Sequence, residues 1–191
     1  MSELENLIQT LCPNGVEYKK LSNVVTMARG VRVVRSQLAV DGQFPVYQNS
    51  MIPLGYYEES NCNENTTFII SAGAAGEIGY SAKPFWAADD CWYFLCPESL
   101  NSRFLYYILQ CKQQYILSNV RRASVPRLSR VVIDNIQIPV PPLAVQGEIV
   151  RILDNFTELT AELTAELTAR KKQYEYYRNK LLNFSKFGGV F

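Results

Sequence analysis

One uninterrupted helix in the last quarter of the chain constrains the fold more than any other feature of the sequence. Residues 148–187 contain neither glycine nor proline, whereas prolines stand at positions 139, 141 and 142. Because proline is tolerated in a first helical turn, we predict that the helix begins near Leu143 and ends near Phe184. About 42 residues at roughly 1.5 Å each give about 60 Å, far longer than a typical globular helix.

A narrow apolar stripe runs along this helix with steps of three and four residues, as in a coiled coil. Arg170 occupies one position of the stripe, and an extra step of four separates Leu163 from Leu167. Such an insertion is a stutter, which a coiled coil absorbs by local unwinding. We predict that the stripe is a dimerisation seam. The seam consists of Ile149, Ile152, Phe156, Leu159, Leu163, Leu167, Tyr174, Tyr177, Leu181 and Phe184.

The stutter coincides with a tandem repeat. Thr160-Ala-Glu-Leu163 is followed by an identical Thr164-Ala-Glu-Leu167. Each copy is about one helical turn, so adding or removing one changes the helix by roughly 6 Å and rotates its far end by about 40°. The plain interpretation is helix-favouring low complexity. The sharper one is a ruler that fixes the distance between whatever lies at its two ends.

Composition excludes several classes of function. The chain has no histidine, the commonest general base and transition-metal ligand. Its five cysteines include no Cys-x-x-Cys pair, which is typical of reduced cytosolic thiols. No apolar run reaches the length of a membrane span, and the N-terminal residues lack the pattern of a secretory signal. We therefore predict a cytoplasmic protein that has no cofactor, no metal and no catalytic residue.

The part before the long helix is predicted to be an α/β (α+β) domain with a mixed sheet. Ser2–Leu11 and Asn101–Tyr115 have the apolar spacing of helices. The region from Val31 to Cys96 indicates mostly short strands, and Val131–Ile138 alternates like another strand. The change of period along the chain therefore predicts a globular domain built from both kinds of element.

Two further patterns resemble catalytic motifs and are better explained as turns. The glycine-rich segment Ser71–Gly79 lacks the Lys-Ser/Thr pair of a phosphate-binding loop, and a tight turn between strands accounts for it. Asp89 and Asp90 suggest a metal-dependent nuclease, but no accompanying arrangement of lysine and carboxylate is found nearby. We favour a surface turn there and keep the nuclease as a rival function.

Charge is distributed unevenly although the net charge is only +1. Residues 36–100 carry one lysine against eight acids, or −7, and residues 101–134 carry six basic groups against one acid, or +5. Local patches, rather than the total, set the field that a nucleic acid meets. A basic stretch ahead of the helix is therefore compatible with DNA binding.

Three segments offer side chains suited to DNA. Arginine binds guanine and phosphate bidentately, amides pair with adenine edges, and hydroxyls contact phosphates. A solvated surface strand or an ordinary turn explains the first two segments at least as well. The third combines four arginines with two hydroxyls and is the strongest candidate. The predicted contacts are Arg29, Arg32 and Arg35, then Gln48 and Asn49, then Arg121, Arg122, Ser124, Arg127 and Arg130.

The segment ahead of the long helix resembles a known family. Ile136-Gln-Ile-Pro-Val-Pro-Pro-Leu-Ala-Val-Gln146 is similar to the conserved region after a target-recognition domain in specificity (S) subunits of type I restriction-modification systems. Pro13-Asn-Gly-Val-Glu-Tyr-Lys-Lys-Leu21 resembles the opening of each half of such a subunit, and the Thr-Ala-Glu-Leu repeat resembles a spacer in some members. Residues 22–130 resemble the family only weakly, and they correspond to the region in which members of the family vary with their DNA target.

The resemblance implies a target-recognition domain over residues 1–140, a helical dimerisation and spacer arm over 141–185, and a tail over 186–191. It implies double-stranded DNA, a modification (methyltransferase) subunit and a restriction/motor subunit as partners. A typical S subunit has two such halves. We therefore expect a homodimer whose long helices form an antiparallel coiled coil and whose two domains bind inverted half-sites. The alternative is a decoy or interaction module that titrates these subunits without reading DNA.

Overall fold

The computed structural model describes residues 2–39 and 41–183, in two compact units that divide after Val150. Phe184 and the predicted tail, 186–191, lie outside the described residues. The elements in chain order are α1 (Glu3–Leu11), β1 (Tyr18–Lys20), β2 (Thr26–Arg29), β3 (Phe44–Tyr47), β4 (Tyr56–Tyr57), β5 (Thr66–Ile70), β6 (Ile78–Ser81), β7 (Trp86–Ala87), β8 (Cys91–Leu95), α2 (Ser102–Cys111), α3 (Gln113–Ser118), α4 (Arg130–Asp134), β9 (Gln137–Pro139) and α5 (Leu143–Leu182).

A four-stranded antiparallel sheet, in the order β2-β8-β5-β6, forms the centre of the first unit. One of its two inner strands, β5, is buried at every position. Side chains alternate between the faces of a strand, so Ile69 enters one hydrophobic cluster while Phe68 and Ile70 enter another. Strand β5 is one of the short strands predicted between Val31 and Cys96, and the tight turn predicted within Ser71–Gly79 joins β5 to β6.

The larger cluster packs α2 and α3 against this sheet. The Asn101 side chain caps α2 by accepting hydrogen bonds from the backbone N–H groups of Arg103 and Phe104. The sequence predicts one helix from Asn101 to Tyr115, but the structure divides it at Lys112, whose N–H is shared between two carbonyls of the preceding turn. The buried face of α2 comprises Phe104, Leu105, Ile108 and Leu109.

The smaller cluster joins this sheet to a three-stranded one in the order β4-β3-β7, in which β3 and β7 are parallel. Tyr47 stacks on Phe68 with ring centroids 4.8 Å apart and meets Phe85 edge-on. Cys62 and Cys91 are buried in this cluster. Burial raises the pKa of the Cys62 thiol to about 12 and that of Cys91 well above its ordinary value, so both remain protonated at neutral pH.

Helix α5 begins inside the first unit, where one buried amide holds its first turn. The Gln146 side chain is fully buried, and its Nε2 donates to the carbonyls of Pro141 and Ser99 at 2.7 and 2.9 Å. Its Oε1 accepts from the Asn101 N–H at 2.8 Å. Because Asn101 also caps α2, Gln146 connects the starts of the two helices. Ile149 packs against the larger cluster from the next turn of α5.

Two sequence expectations about strands are wrong. Val131–Ile138 is not one strand, because α4 occupies its first half and β9 its end. Arg130 and Asp134 pair at 3.3 Å across one turn of α4, which favours a helix there, and a period of two over so few residues does not exclude one. The valine-rich segment 31–34 contains no strand either. No helix of the described residues is both long and apolar enough to cross a bilayer.

Candidate nucleic-acid interface

The arginine-bearing segment 29–35 is ordered although most of it is not a strand. The Val31 N–H donates to the Ala87 carbonyl at 2.9 Å, and the Trp86 indole N–H donates to the Val31 carbonyl at 2.8 Å. Gly30 permits this close approach, since a Cβ there would overlap the Ala87 carbonyl. The backbone of the segment is therefore held by β7, which leaves its exposed side chains available.

Two of the predicted arginines share a cavity with both predicted amides. Val33 is only 3% exposed and anchors the segment, whereas Arg32 and Arg35 are exposed on either side of it. They meet the loop after β3 around a cavity of about 260 Å³, which we call the amide pocket. Guanidinium groups only donate hydrogen bonds, whereas amides donate and accept, so this set matches base edges and phosphates. The pocket is lined by Arg32, Val33, Val34, Arg35, Gln48, Asn49 and Leu54.

Contacts with two neighbouring turns also position the two amides. The Asn49 carbonyl accepts from the Ala74 N–H at 2.9 Å, and the Asn49 residue itself is exposed. Gln48 is half-buried, and its Nε2 lies 3.5 Å from Asp89 Oδ1. Asp89 and Asp90 lie in the turn between β7 and β8, which confirms the predicted turn.

The strongest sequence candidate forms a closed loop, which we call the 121–127 loop. Arg121 and Arg127 exchange two backbone hydrogen bonds of 2.9 and 3.1 Å at its base. The Gly73 N–H donates to the Pro126 carbonyl at 3.1 Å, which docks the loop on the turn after β5. The base of the 121–127 loop is therefore fixed by backbone hydrogen bonds, and its tip is exposed. The tip consists of Arg122, Ala123, Ser124 and Val125.

A second cavity of about 470 Å³ lies between this loop, the turn after β5 and α3. Arg122 contributes its charge, and Gly73 and Ala74 contribute backbone. Ala74 lines this cavity and Asn49 lines the amide pocket, and the hydrogen bond between their backbones links the two linings. The lining is Gly73, Ala74, Ala75, Glu77, Leu117, Val120, Arg122 and Pro126.

Arg29 and Arg130 differ from the other predicted arginines because each has a partner within the domain. The Arg29 Nε donates to the Asp89 carbonyl at 2.7 Å. Arg130 begins α4 and pairs with Asp134. Neither 29–35 nor 121–130 contains an acidic residue of its own, so each segment carries net positive charge. Among the predicted arginines, those of the amide pocket and the 121–127 loop are exposed and are not engaged in such a contact.

The predicted long helix is confirmed as α5, and its second-unit part, from Arg151, exposes most of the seam. Seam side chains from Phe156 to Leu181 range from 49% to 67% exposed. Ile152 is half-buried, and Ile149 already packs against the core of its own domain. Phe184 is not among the described residues.

A ladder of threonines lies on another face of α5. Each hydroxyl donates to the carbonyl four residues earlier at 2.7 to 2.9 Å. These hydroxyls donate within the helix, so the threonine of each added repeat needs no hydrogen-bond acceptor outside the helix. The ladder comprises Thr157, Thr160, Thr164 and Thr168.

The sequence alone indicates no DNA-contact role for Gly30, Gly73 or Trp86, although each positions a predicted contact. The glycines are visible in the sequence, but the backbone that each approaches is known only from the fold. Gln146 stands in the family-like segment, yet its hydrogen bonds depend on Ser99 and Asn101, far away in the chain.

Comparison with known proteins agrees with this picture. The family model described as type I restriction modification DNA specificity domain matches residues 13–170. A putative type I restriction enzyme specificity subunit from Haemophilus influenzae is 39% identical over 190 residues, covering 92% of this chain and 48% of that protein. A type I restriction enzyme specificity subunit from Escherichia coli is 64% identical over 57 residues, covering 26% of this chain and 14% of that protein.

Solved structures show the same fold. The S subunit of a type I restriction-modification system from M. genitalium superposes with a TM-score of 0.69 at 17% identity, covering 90% of this chain and 47% of that chain. The chain spans about half the length of the first curated relatives that it matches. The family model and the curated relatives are described as a DNA specificity domain and as specificity subunits, which agrees with the expectation of a recognition subunit. In both sequence and fold, the chain belongs to the family of type I restriction-modification DNA specificity domains.

Proposed function

We propose that this chain is a sequence-reading subunit of a type I restriction-modification complex and that each copy reads one half-site of a bipartite DNA site. The observation that carries the proposal is the amide pocket, in which Arg32, Arg35, Gln48 and Asn49 from two separate segments surround one cavity. Arginine and amide side chains are those that distinguish guanine and adenine in the major groove. In this proposal the chain recognises a DNA sequence through the free energy of binding.

The 121–127 loop complements the pocket. Arg122 and Ser124 lie at its exposed tip, and Arg121 and Arg127 lie at its closed base. Contacts to phosphates set the position of a protein on the duplex, and contacts to base edges supply specificity. We assign both kinds of contact to this loop, with Arg130 adding charge after it and Arg29 adding charge at the start of segment 29–35.

The division of labour follows the proposed domains. Residues 1–140 act as the target-recognition domain, and residues 141–185 act as the dimerisation and spacer arm. Two copies pair through the seam as an antiparallel coiled coil, so their domains read inverted half-sites separated by a gap. The modification subunit supplies methyl transfer, and the restriction/motor subunit supplies cleavage. The exposure of the seam from Phe156 to Leu181 supports a partner helix.

The decisive experiment maps methylated adenines in DNA that has been exposed to the chain together with a modification subunit. We expect one bipartite motif with two inverted, identical half-sites. Assembly with the modification subunit in the absence of any DNA binding would instead identify a decoy. Magnesium-dependent cleavage by the isolated chain, lost in Asp90→Ala, would establish the rival nuclease.

Variants of single arginines test the proposed interface. We expect Arg32→Ala and Arg127→Ala to weaken binding to the mapped site about 10- to 100-fold, since a bidentate base contact contributes roughly 1–3 kcal/mol. Lys83→Ala is the control, because Lys83 is an exposed cation in the turn after β6, outside the proposed interface. If all three substitutions changed the affinity equally, and by the same factor for the mapped site and for unrelated DNA, a reading role would be contradicted.

A further inference from the structure

Two adjacent backbone N–H groups bind both of the loops that the proposed function assigns to DNA. Gly73 donates to the Pro126 carbonyl at 3.1 Å, and Ala74 donates to the Asn49 carbonyl at 2.9 Å. Consecutive residues are about 3.8 Å apart, so the Asn49 and Pro126 carbonyls lie within roughly 10 Å of each other. Base pairs rise about 3.4 Å each, so the two attachment points are separated by no more than about three base-pair steps.

The conformation and packing of Gly73 leave no room for a side chain. Its φ is +83°, in the left-handed region that favours glycine. A Cβ at this position would lie 2.7 Å from the Asn49 carbonyl oxygen and 2.9 Å from the Asn49 Cβ. The first of these atoms belongs to the backbone and cannot rotate away. Any side chain at position 73 must therefore displace the Asn49 loop.

We propose that Gly73 is a positioning residue that fixes the register between the amide pocket and the 121–127 loop. The two loops then read one uninterrupted block of base pairs as a single surface. This inference rests on the proposed function and adds to it a specificity-determining position that itself contacts no base. Displacing the loop disturbs base contacts, which need defined geometry, more than phosphate contacts made by long arginine side chains.

Three glycine-to-alanine variants separate this role from simple backbone strain. Gly15 has a φ of +86° with open space around it. Gly76 has a φ of +91°, and a Cβ there would meet only side-chain atoms, of Leu117, Ile116 and Val120, at 3.1 to 3.3 Å. Gly73→Ala adds the collision with the Asn49 backbone to the same strain. Gly15→Ala and Gly76→Ala are thus matched controls for conformation.

The measurement is the affinity of the chain, in complex with its modification subunit, for the mapped site and for a scrambled duplex at several salt concentrations. We expect Gly73→Ala to lower the ratio of the two affinities about 10-fold or more, the loss expected from one disturbed base contact. Its affinity for scrambled DNA and its salt dependence should remain those of the unsubstituted chain. Gly15→Ala and Gly76→Ala should change the ratio less than about threefold, because neither substitution meets the Asn49 backbone.

A ratio preserved in Gly73→Ala, or lost equally in all three variants, overturns the inference and leaves the proposed function intact. Failure of the unsubstituted chain to discriminate between the duplexes contradicts the proposed function instead.

A test on the DNA side does not depend on the folding of any variant. One base pair inserted at any interior position of the half-site should cost about 10-fold or more in affinity. Tolerance of an insertion at any interior position overturns the fixed register.

Discussion

Among single residues, Gln146 shows how a polar side chain can stabilise a core. Its amide is fully buried and pairs with three backbone groups, on Pro141, Ser99 and Asn101. Buried groups left without a partner cost roughly 1–3 kcal/mol each, more than the net contribution of an average hydrogen bond. The Gln146 amide therefore stabilises the fold mainly because its loss would leave these backbone groups without a hydrogen-bond partner.

We expect Gln146→Leu, which keeps the volume and removes the hydrogen bonds, to lower the free energy of unfolding by about 2–4 kcal/mol. Gln137→Leu on β9 is the control, because Gln137 is exposed, and its effect should stay within about 0.5 kcal/mol. Urea denaturation followed by circular dichroism measures both. A loss below 1 kcal/mol for Gln146→Leu would mean that other groups or water replace the amide.

The buried thiols predict a pH dependence of stability. An unfolded cysteine releases its proton near pH 9, whereas the native Cys62 holds its proton to about pH 12. Between these values the native state binds more protons than the unfolded state, so stability falls as the pH rises. Cys62→Ala should flatten this fall, and Cys111→Ser, at an exposed position, should not. Equal slopes for both variants in denaturation at pH 9 to 11 would contradict this origin.

The arginines illustrate what sequence can predict about a site. Their spacing and charge identify the candidate DNA-binding segments, because residue type alone determines whether a side chain can bind a phosphate bidentately. Sequence does not distinguish Arg32, which lines the amide pocket, from Arg130, which pairs within α4. That difference depends on tertiary neighbours that are distant in the chain.

Among the elements, α5 follows most directly from sequence. Leu143–Leu182 lacks proline, and its only glycine lies in the second turn, so a helix needs no tertiary contact to be inferred. The two-residue strand β7 has no such signal, since Trp86 and Ala87 are extended only because β3 and segment 29–35 bind them. Short elements specified by their neighbours are where sequence interpretation loses accuracy.

Deletion of Thr164–Leu167 tests the ruler. It removes about 6 Å of helix, so the gap between half-sites should shorten by no more than about two base pairs while the half-sites stay the same. Thr160→Ala with Thr164→Ala is the length-preserving control, because it removes two rungs of the threonine ladder and should leave the gap unchanged. Mapped methylation sites give both results. An unchanged gap after the deletion removes the ruler.

For the whole molecule, the exposed seam predicts a dimer. Leu163→Glu together with Leu181→Glu should yield monomers in light scattering, since both side chains are more than half exposed and belong to the seam. Charges buried in a helix pair are strongly unfavourable. Ala161→Glu with Asn179→Glu introduces the same charge on the opposite helical face and should leave the dimer intact. A dimer that survives the seam variant must form elsewhere.

The way in which the arginine segments are held has an evolutionary consequence. Val31 is held by the backbone of β7 and by the Trp86 indole. The 121–127 loop is closed by its own backbone hydrogen bonds, and the Gly73 N–H binds the backbone near the base of that loop. The tip side chains of the loop and the exposed side chains of the amide pocket can therefore be exchanged without removing a bond that supports the fold. Such a domain can acquire a new target by a few point substitutions, and a mutational library at these positions should yield folded proteins of altered preference.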